Sequence, residues 1–506
     1  MTVTSREEER ARPHASPRRR ARTFDGLRAV PGPLAAILAI VVVAGLLWAL
    51  LVPPWQSPDE FAHFAYAQSL AERFALPGDP LRPMLSNDEL LAERSVGAEA
   101  LSFRPGQIRP DWSPQDFQAY RAAASRGPSR SNGGGANPES YEPPLYYLYA
   151  DVAYWATSAG NAFDQYYGMR IWGVALLALT VIATWLLIGE LLGPRRVPQL
   201  AGSAVVGLFP GETFISTSIN PDGLMIALWT LALWLGARVI KRAARPGDAV
   251  ALIGVTAAAA LTQPSSYALV PAVVLALIIG LARCPPGRRR ASVRASALAG
   301  AAACAPVIAW VVTRVHGNPA LSQVGPKSGE HAVPFNVRQF LSYIWQFYLP
   351  RLPGMTPNRV TPGLSVYNVW VREAWGTFGW LDVPMASWVY TAVGSFTAAI
   401  GVASAAIVSS FRDRLSLQLV AFYGLALVAL LFGLHLTEYR SLINGQGAFL
   451  QGRYLLPVLG LFGVAVALVV SRLPPRWQGP ACGAVLPAML LLQGLALATV
   501  AATYYT

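Results

Sequence analysis

Apolar runs of about 18–22 residues recur along this chain, and they constrain its fold more than any other feature. Runs of that length cross a hydrocarbon core of roughly 30 Å as helices. Because lipid offers no hydrogen-bond partners, the backbone polar groups of each run must be satisfied within the segment, which requires a helix. With 54% hydrophobic and 13% charged residues, the chain is expected to be an all-α polytopic membrane protein.

About eleven transmembrane helices are predicted from these runs. They lie near residues 31–52, 168–192, 199–217, 222–239, 249–263, 267–282, 296–313, 385–410, 416–436, 454–471 and 480–502. The short loops on the side of the N-terminus each carry at least two basic residues, as in GPRRVP and FRDRLS. Cytoplasmic loops carry such an excess of lysine and arginine, so we expect a cytoplasmic N-terminus and an external C-terminus. The net charge of +13 is therefore a topology signal and not a nucleic-acid footprint.

The chain divides into a tail and a membrane domain. Residues 1–30, rich in Ser, Pro and Arg, are expected to be a disordered basic cytoplasmic tail. Residues 31–506 form the transmembrane domain, with external loops at 53–167, 314–384 and 437–453. The first loop is the largest and is predicted to contain juxtamembrane helices. None of these loops suits an independent domain, so function is expected at the outer surface of the membrane.

The stretch QSPDEFAHF places two acids just after the first span. Ser57 at the N-cap, Pro58 at the first helical position and Glu60 three residues after the serine predict a capping box. The capping box gives Asp59 no role, although an acid in the first turn also complements the helix dipole. Asp59 and His63 share a helix face, which is typical of a polar site. The sequence leaves two roles open for Asp59: stabilising the helix N-terminus or taking part in a reaction.

A second turn repeats this pattern. SINPDG predicts Asn220 at an N-cap, Pro221 at the first helical position and Asp222 in the first turn, again at the external end of a span. Capping explains this turn adequately. However, acids at membrane depth are costly and tend to face cavities. Two such turns at one depth therefore predict two carboxylates in one cavity.

The stretch QGRYLLP places Arg453 at the outer end of a span, between Gln451 and Tyr454. A snorkelling arginine is the ordinary explanation. The alternative is a phosphate site, because the planar guanidinium binds phosphate oxygens in pairs. Arg372 is a further external candidate for that role.

Aromatic stretches flank these polar turns. In YEPPLYY two prolines fix the backbone, and aromatic rings there and in WGTFGW offer a surface for a lipid or a sugar. The residues predicted to contact substrate in these stretches are Tyr141, Glu142, Pro143, Pro144, Tyr146 and Trp375. An ordinary aromatic belt at the membrane–water interface is the alternative. No phosphate-binding loop, G-x-G-x-x-G or H-E-x-x-H motif occurs in the sequence, which argues against a nucleotide-sugar or ATP site.

Five motifs in order, PDEFAHF, YEPPLYY, SINPDG, WGTFGW and QGRYLLP, resemble a bacterial family of integral membrane proteins known as domain of unknown function 2142. The resemblance spans roughly residues 50–460. That family is similar to a branch of the GT-C glycosyltransferases, in which an acid just beyond the first span serves the reaction and the donor is a sugar on polyprenyl phosphate. Asp59 and Glu60 occupy that position. Gln263 departs from the pattern, because a lysine is expected there.

The resemblance implies an inverting glycosyltransferase at the outer face of a bacterial plasma membrane. Asp59 would be the base, assisted by Glu60, and Arg453 or Arg372 would bind the donor phosphate. The acceptor would be an envelope glycan, lipid or protein. The site that binds the substrates would also include His63, Asn220 and Asp222. A transporter or flippase of a lipid-linked solute, or a non-enzymatic scaffold, are the alternatives.

No cofactor is identified with certainty from the sequence. The carboxylates of Asp59 and Asp222 offer oxygen ligands of the kind that Mg²⁺ or Mn²⁺ prefers, so a divalent cation at this pair is an alternative that the sequence leaves open.

Overall fold

The fold is taken from a computed structural model of the chain. It describes residues 30–102, 113–317, 334–356, 364–445 and 447–505, with the side chains of 314–317 excepted. The predicted cytoplasmic tail, residues 1–30, lies outside this range except for its last residue. Parts of all three predicted external loops lie outside it as well.

Nineteen α-helices, three 3-10 helices, one π-helix and a two-stranded ribbon build the described part of the chain. The α-helices are α1 Gly32–Leu51, α2 Glu60–Arg73, α3 Asn87–Ser95, α4 Ala98–Leu101, α5 Pro114–Ala124, α6 Leu145–Ala156, α7 Ala162–Leu192, α8 Arg196–Gly207, α9 Pro210–Ser216, α10 Asp222–Lys241, α11 Pro246–Ala260, α12 Val270–Ala282, α13 Pro286–Gly317, α14 Val337–Tyr348, α15 Ala374–Gly376, α16 Ser387–Val408, α17 Arg414–Ile443, α18 Leu459–Arg472 and α19 Pro475–Tyr505.

The shorter elements adjoin the site described below. They are the 3-10 helices Pro138–Tyr141, Pro264–Leu269 and Gly452–Val458, the π-helix Tyr367–Glu373, and a two-stranded antiparallel ribbon of β1 Thr377–Phe378 and β2 Val383–Pro384.

Nine helices in the described residues are long and apolar enough to cross a membrane, by length and composition. The prediction of a polytopic all-α membrane protein is confirmed, whereas the count of eleven spans is not. The run 199–217 is divided between α8 and α9, because Pro210 starts a new helix and cannot donate the backbone hydrogen bond that would continue α8. The run 249–263 corresponds to α11, which is only 15 residues long.

Helix α10 lies at the centre of the molecule, where 83% of its most apolar 18-residue stretch is buried, and α7, α11 and α12 surround it. Helices α13 and α16 lie at the periphery, and only 6% of the corresponding stretch of each is buried. The interrupted backbone between α8 and α9 is enclosed by protein, which is the setting in which irregular backbone is tolerated at membrane depth.

One end of the bundle carries helices α2 to α6, the predicted first external loop. Helix α6 presents two faces: Tyr146, Tyr147 and Tyr154 are buried against α2 and α7, while Leu148 and Trp155 are about half exposed on the opposite side. An outward apolar stripe on such a helix is typical of a segment at the membrane interface. The location of α6 in the outer interface stays a prediction.

Candidate active site

The turn before α2 differs from the predicted capping box. Asp59, not Ser57, is the N-cap residue of α2, and its φ of 61° lies in the left-handed region. The Ser57 hydroxyl is buried without a hydrogen-bond partner among the described residues. Glu60, the first residue of α2, is buried in the protein core, whereas Asp59 lines the cavity described below. The capping-box prediction is therefore wrong for both Ser57 and Glu60.

Glu60 is the centre of a buried ion pair. Its carboxylate accepts hydrogen bonds from Nε of Arg170 at 2.7 Å, from Nη2 of Arg170 at 2.6 Å and from the Tyr166 hydroxyl at 2.6 Å. Arg170 also donates to the Val52 carbonyl at the end of α1 at 2.6 Å. The predicted catalytic role of Glu60 is not supported by this arrangement, because every oxygen of its carboxylate is engaged with protein groups.

The same carboxylate connects the two Pro-Asp turns. Oε1 of Glu60 accepts the backbone N–H of Ile219 at 3.0 Å. In the second turn, Oδ1 of Asn220 accepts the N–H of Asp222 at 2.9 Å, and its amide donates to the Pro58 carbonyl at 3.4 Å. Asn220 thus caps α10, although the helix begins at Asp222 and Pro221 holds the N-cap position.

The two turns bring Asp59 and Asp222 into one polar cavity, as predicted, with Arg453 between them. Nη2 of Arg453 donates to Asp59 at 2.9 Å, and Nε of Arg453 lies 3.7 Å from the Asp222 carboxylate. The Asp59 side chain is 33% exposed, whereas that of Asp222 is 1% exposed. The more accessible of the two acids is therefore Asp59.

Arg453 is held in place by the segment that carries it. The N–H of Gly452, its neighbour, donates to the Glu373 carboxylate at 2.9 Å, which joins the 3-10 helix to the π-helix. Nε and Nη1 of Arg453 are buried and have no hydrogen-bond partner in the described part of the chain. Of these two nitrogens, Nε faces the Asp222 carboxylate, whereas Nη1 has neither a hydrogen bond nor an ion pair within the described residues.

The cavity has a volume of about 210 Å³ and an unusually acidic lining. Besides Asp59, Asp222 and Arg453, its lining residues are His63, Glu139, Tyr141, Glu142, Asn220, Gln263, Ala448, Phe449, Gln451 and Tyr454. Four carboxylates therefore face one guanidinium. The Gln263 amide lies beside the carboxylates of Glu142 and Asp222.

Burial is the main cause of the pKa shifts of Glu139, Glu142 and His63. It raises the pKa of Glu139 to about 8, with the Asp59 carboxylate contributing in the same direction. Burial also raises the pKa of Glu142 well above its usual value, and the nearby Glu139 adds to this. Burial lowers the pKa of His63 to about 3, so the imidazole is uncharged at neutral pH. Its Nδ1 lies 2.9 Å from the Tyr147 hydroxyl.

Two predicted residues lie away from the cavity. Arg372, in the π-helix, stacks 5.0 Å from the centre of the Tyr390 ring and lies 3.4 Å from Asn368. Trp375 is buried in an apolar environment, where its indole N–H donates to Thr397 at 3.1 Å. Their predicted roles in binding phosphate and substrate are corrected accordingly: the π-helix directs Arg372 to an aromatic ring, and the apolar core encloses Trp375.

The aromatic stretch contributes only in part. Tyr141 and Glu142 line the cavity, whereas Pro143, Pro144 and Tyr146 do not. Tyr146 is instead buried in the core, and its hydroxyl meets the backbone of Asn220. The predicted contact of these three residues with substrate is not supported.

Glu139 is the site residue that the sequence analysis missed. It lies in PESYEPP, three residues before Glu142. The 3-10 helix Pro138–Tyr141, capped by the Asn137 side chain, directs it to the cavity. The spacing of two glutamates on one turn was the available signal. Ala448 and Phe449 carried no sequence signal, because their position depends on the fold of the predicted third loop.

A divalent cation at Asp59 and Asp222 finds little support in the geometry. Arg453 occupies the space between the two carboxylates. Within the described residues, no group of three or more His, Cys, Asp or Glu side chains is arranged to hold a metal ion.

Comparison with known families gives one clear match. Residues 42–462 match the family described as "Predicted membrane protein (DUF2142)". The chain belongs to this family. No curated protein matches the chain.

Among solved structures, the chain is similar to ArnT from Cupriavidus metallidurans bound to undecaprenyl phosphate. The identity is 13%, the match covers 94% of this chain and 74% of ArnT, and the TM-score is 0.47. It is also similar to the oligosaccharyltransferase AglB from Archaeoglobus fulgidus in complex with an inhibitory peptide and a dolichol-phosphate. Here the identity is 10%, the coverage is 93% of this chain and 56% of AglB, and the TM-score is 0.47.

Proposed function

We propose that this DUF2142 protein is a membrane glycosyltransferase. It moves a sugar from a polyprenyl-phosphate donor to an acceptor of the cell envelope at the outer face of a bacterial plasma membrane. The observation that carries the proposal is Arg453, held between Asp59 and Asp222 with two guanidinium nitrogens free of hydrogen-bond partners in the described residues. This arrangement provides an anion site beside a carboxylate, which is what transfer from a phosphate ester requires.

The donor phosphate binds at Nη1 of Arg453 in this mechanism. A charge-assisted hydrogen bond from a guanidinium to a phosphate oxygen is stronger than one between neutral groups. As the bond from the anomeric carbon to the phosphate oxygen breaks, its electron pair leaves with the polyprenyl phosphate. Arg453 stabilises the negative charge that develops there.

Asp59 acts as general base. The acceptor hydroxyl attacks the anomeric carbon from the face opposite the phosphate, so the new bond has inverted configuration, and its proton passes to the Asp59 carboxylate. Asp59 is the more accessible acid beside Arg453, and it occupies the position of the first-loop acid that the GT-C resemblance implies. General base catalysis typically contributes about 10²–10⁴-fold. Glu139 is the other carboxylate that could take this proton, because its pKa of about 8 lies near the operating pH.

An apolar crevice provides a place for the lipid part of the donor. It has a volume of about 270 Å³ and is lined by Leu455, Leu456 and Phe462, among others. The two leucines follow Arg453 within the same 3-10 helix. An isoprenoid chain could therefore extend into this crevice while its phosphate contacts the arginine.

Transfer by the purified protein tests the proposal. Labelled polyprenyl-phosphate sugars would be incubated with the protein in detergent and a bacterial envelope extract, in parallel with Asp59→Asn and Glu139→Gln. Asn and Gln keep the side-chain shape and remove the base. We expect label to move from lipid to acceptor with the wild type, and a loss of about 10²-fold or more with Asp59→Asn.

Two other outcomes would change the proposal. A large loss of transfer with Glu139→Gln and none with Asp59→Asn would identify Glu139 as the general base. Absence of transfer from any donor, together with movement of labelled lipid across proteoliposomes, would replace the transferase by a flippase.

A further inference from the structure

The inner wall of the cavity presents hydrogen-bond acceptors that the protein itself leaves unused. Five buried oxygens have no hydrogen-bond partner in the residues described: Oε2 of Glu142, Oδ1 and Oδ2 of Asp222, Oε1 of Gln263 and Oε1 of Gln451. Glu142 and Asp222 are 2% and 1% exposed. Because buried polar atoms in folded proteins are nearly always hydrogen-bonded, this wall fits a ligand that carries several N–H or O–H donors.

The charges of the lining indicate what kind of donor. The carboxylates of Asp59, Glu139, Glu142 and Asp222 share the cavity with one guanidinium, that of Arg453. His63 adds no positive charge, since burial lowers its pKa to about 3. Removing unpaired carboxylates from water is costly unless a cation or a proton neutralises them. A ligand with a positive charge would neutralise them without protonation.

An ammonium group fits this wall better than a metal ion does. The acceptor oxygens belong to several separate segments, and no three acidic or imidazole side chains in the described residues converge on one point. Mg²⁺ requires such convergence in near-octahedral geometry. An ammonium group instead offers three N–H donors that tolerate acceptors spread around it.

The neighbours of Asp222 indicate where the positive charge of the ligand would lie. Its carboxylate lies 3.7 Å from Nε of Arg453 and also beside the Gln263 amide. The cavity, about 210 Å³, is smaller than the roughly 300–1,000 Å³ typical of pockets for drug-sized ligands. A group bound at this wall while the phosphate contacts Arg453 must therefore lie on the first sugar ring.

We infer that the transferred sugar carries a protonated amine, bound by the carboxylates of Glu142 and Asp222 and by the Gln263 amide oxygen. This inference rests on the proposed function, because it assumes that the phosphate at Arg453 belongs to the sugar donor. It selects amino sugars over neutral and N-acetylated sugars as the donor class.

Equilibrium binding tests this preference without requiring turnover. The probes are short-chain isoprenyl phosphate esters of hexoses with an amine at C2, C3 or C4, their N-acetyl counterparts, and the bare isoprenyl phosphate. At pH 7 we expect wild type to bind one amino ester at least about tenfold more tightly than its N-acetyl counterpart. Glu142→Gln should abolish that preference. Glu99→Gln, an exposed glutamate of the same external segment, should retain it.

The inference and the proposed function fail in different ways. Equal affinity for each amino and N-acetyl pair would overturn the amine and leave the phosphate site intact. Tight binding of N-acetyl esters that depends on added Mn²⁺ would assign the carboxylates to a metal and overturn the amine as well. If not even the bare isoprenyl phosphate binds, the proposed function fails, and the amine fails with it. The wild-type comparison stands even if Glu142→Gln does not fold.

Discussion

Among single residues, Asp59 and Glu60 are neighbours in sequence with opposite surroundings. Glu60 is fully buried and paired with Arg170, whereas Asp59 faces a cavity and contacts Arg453. The left-handed conformation of Asp59 separates the two side chains. Periodicity could not have predicted this difference, because a capping box and a left-handed turn are both compatible with the letters SPDE.

The Glu60–Arg170 pair is expected to be essential for stability. Glu60→Gln would leave the Arg170 guanidinium buried without its counter-charge, and breaking a buried pair in this way costs about 3–5 kcal/mol. A large fall in the melting temperature of the detergent-purified protein would confirm it. Ser57→Ala is the matched control. Its buried hydroxyl has no hydrogen-bond partner in the described residues, so removing it should leave stability unchanged or raise it slightly, and a fall as large as that of Glu60→Gln would contradict this description of the turn.

Glu139 should make stability depend on pH. Its pKa is raised from 4.5 to about 8 in the folded protein, by burial first and by Asp59 second. The folded state therefore retains a proton that the unfolded state releases, and stability falls as pH rises between these two values. Glu139→Gln has no group that titrates at this position, so its stability does not change with pH through this residue. The melting temperature of wild type should thus fall relative to that of Glu139→Gln between about pH 5 and pH 8, and a difference that does not vary with pH would refute the assignment.

At the scale of elements, apolar length predicted most of the membrane helices but not their interruptions. Helix α7 begins at Ala162, several residues before the predicted 168, because Asn161 and Asp164 form a capping box there. The predicted span 199–217 is broken at Pro210. Hydropathy detects the apolar run, whereas the cap and the break depend on single residues and on the helices that enclose them.

The crossing of α8 and α18 depends on two glycines. A Cβ on Gly202 would collide with the Gly463 carbonyl, and a Cβ on Gly463 would come 2.9 Å from the Gly202 carbonyl oxygen. Small residues allow such close helix contacts in membranes. Gly202→Ala should therefore destabilise the protein by about 1–3 kcal/mol.

Gly254 in α11 provides the matched control, because nothing lies within 4 Å of a Cβ there. Gly254→Ala should leave the melting temperature unchanged or raise it slightly, by about 0.4–1 kcal/mol of stability. Equal effects of the two substitutions would show that the crossing is looser than described.

At the scale of the whole molecule, the sequence predicted the class of fold, and the motif order led to the correct family. The site was predicted in part. Asp59, Asp222 and Arg453 do meet, since Pro-Asp turns at the same end of two spans had to lie at one depth. Glu139 was missed and Arg372 was misplaced, because which side of a loop faces a cavity is decided by tertiary packing that no local pattern records.

Orientation in the membrane is a prediction for the whole molecule. The basic loops predict a cytoplasmic N-terminus and an external C-terminus. Alkaline phosphatase fused after Thr506 should be active in a bacterial host, and a green fluorescent protein fused there should be dark. The reverse pattern would place the cavity on the cytoplasmic side and contradict the proposed outer-face reaction.

The measurement that most directly tests the central claim is transfer by Arg453→Gln compared with Arg372→Gln. Both substitutions remove one arginine from the predicted external loops or span ends, but only Arg453 lies between the cavity carboxylates. We expect kcat/KM for sugar transfer from polyprenyl phosphate to fall about 10²-fold or more for Arg453→Gln, as for loss of a group that stabilises developing charge, with Arg372→Gln close to wild type. Normal transfer by folded Arg453→Gln would contradict the account.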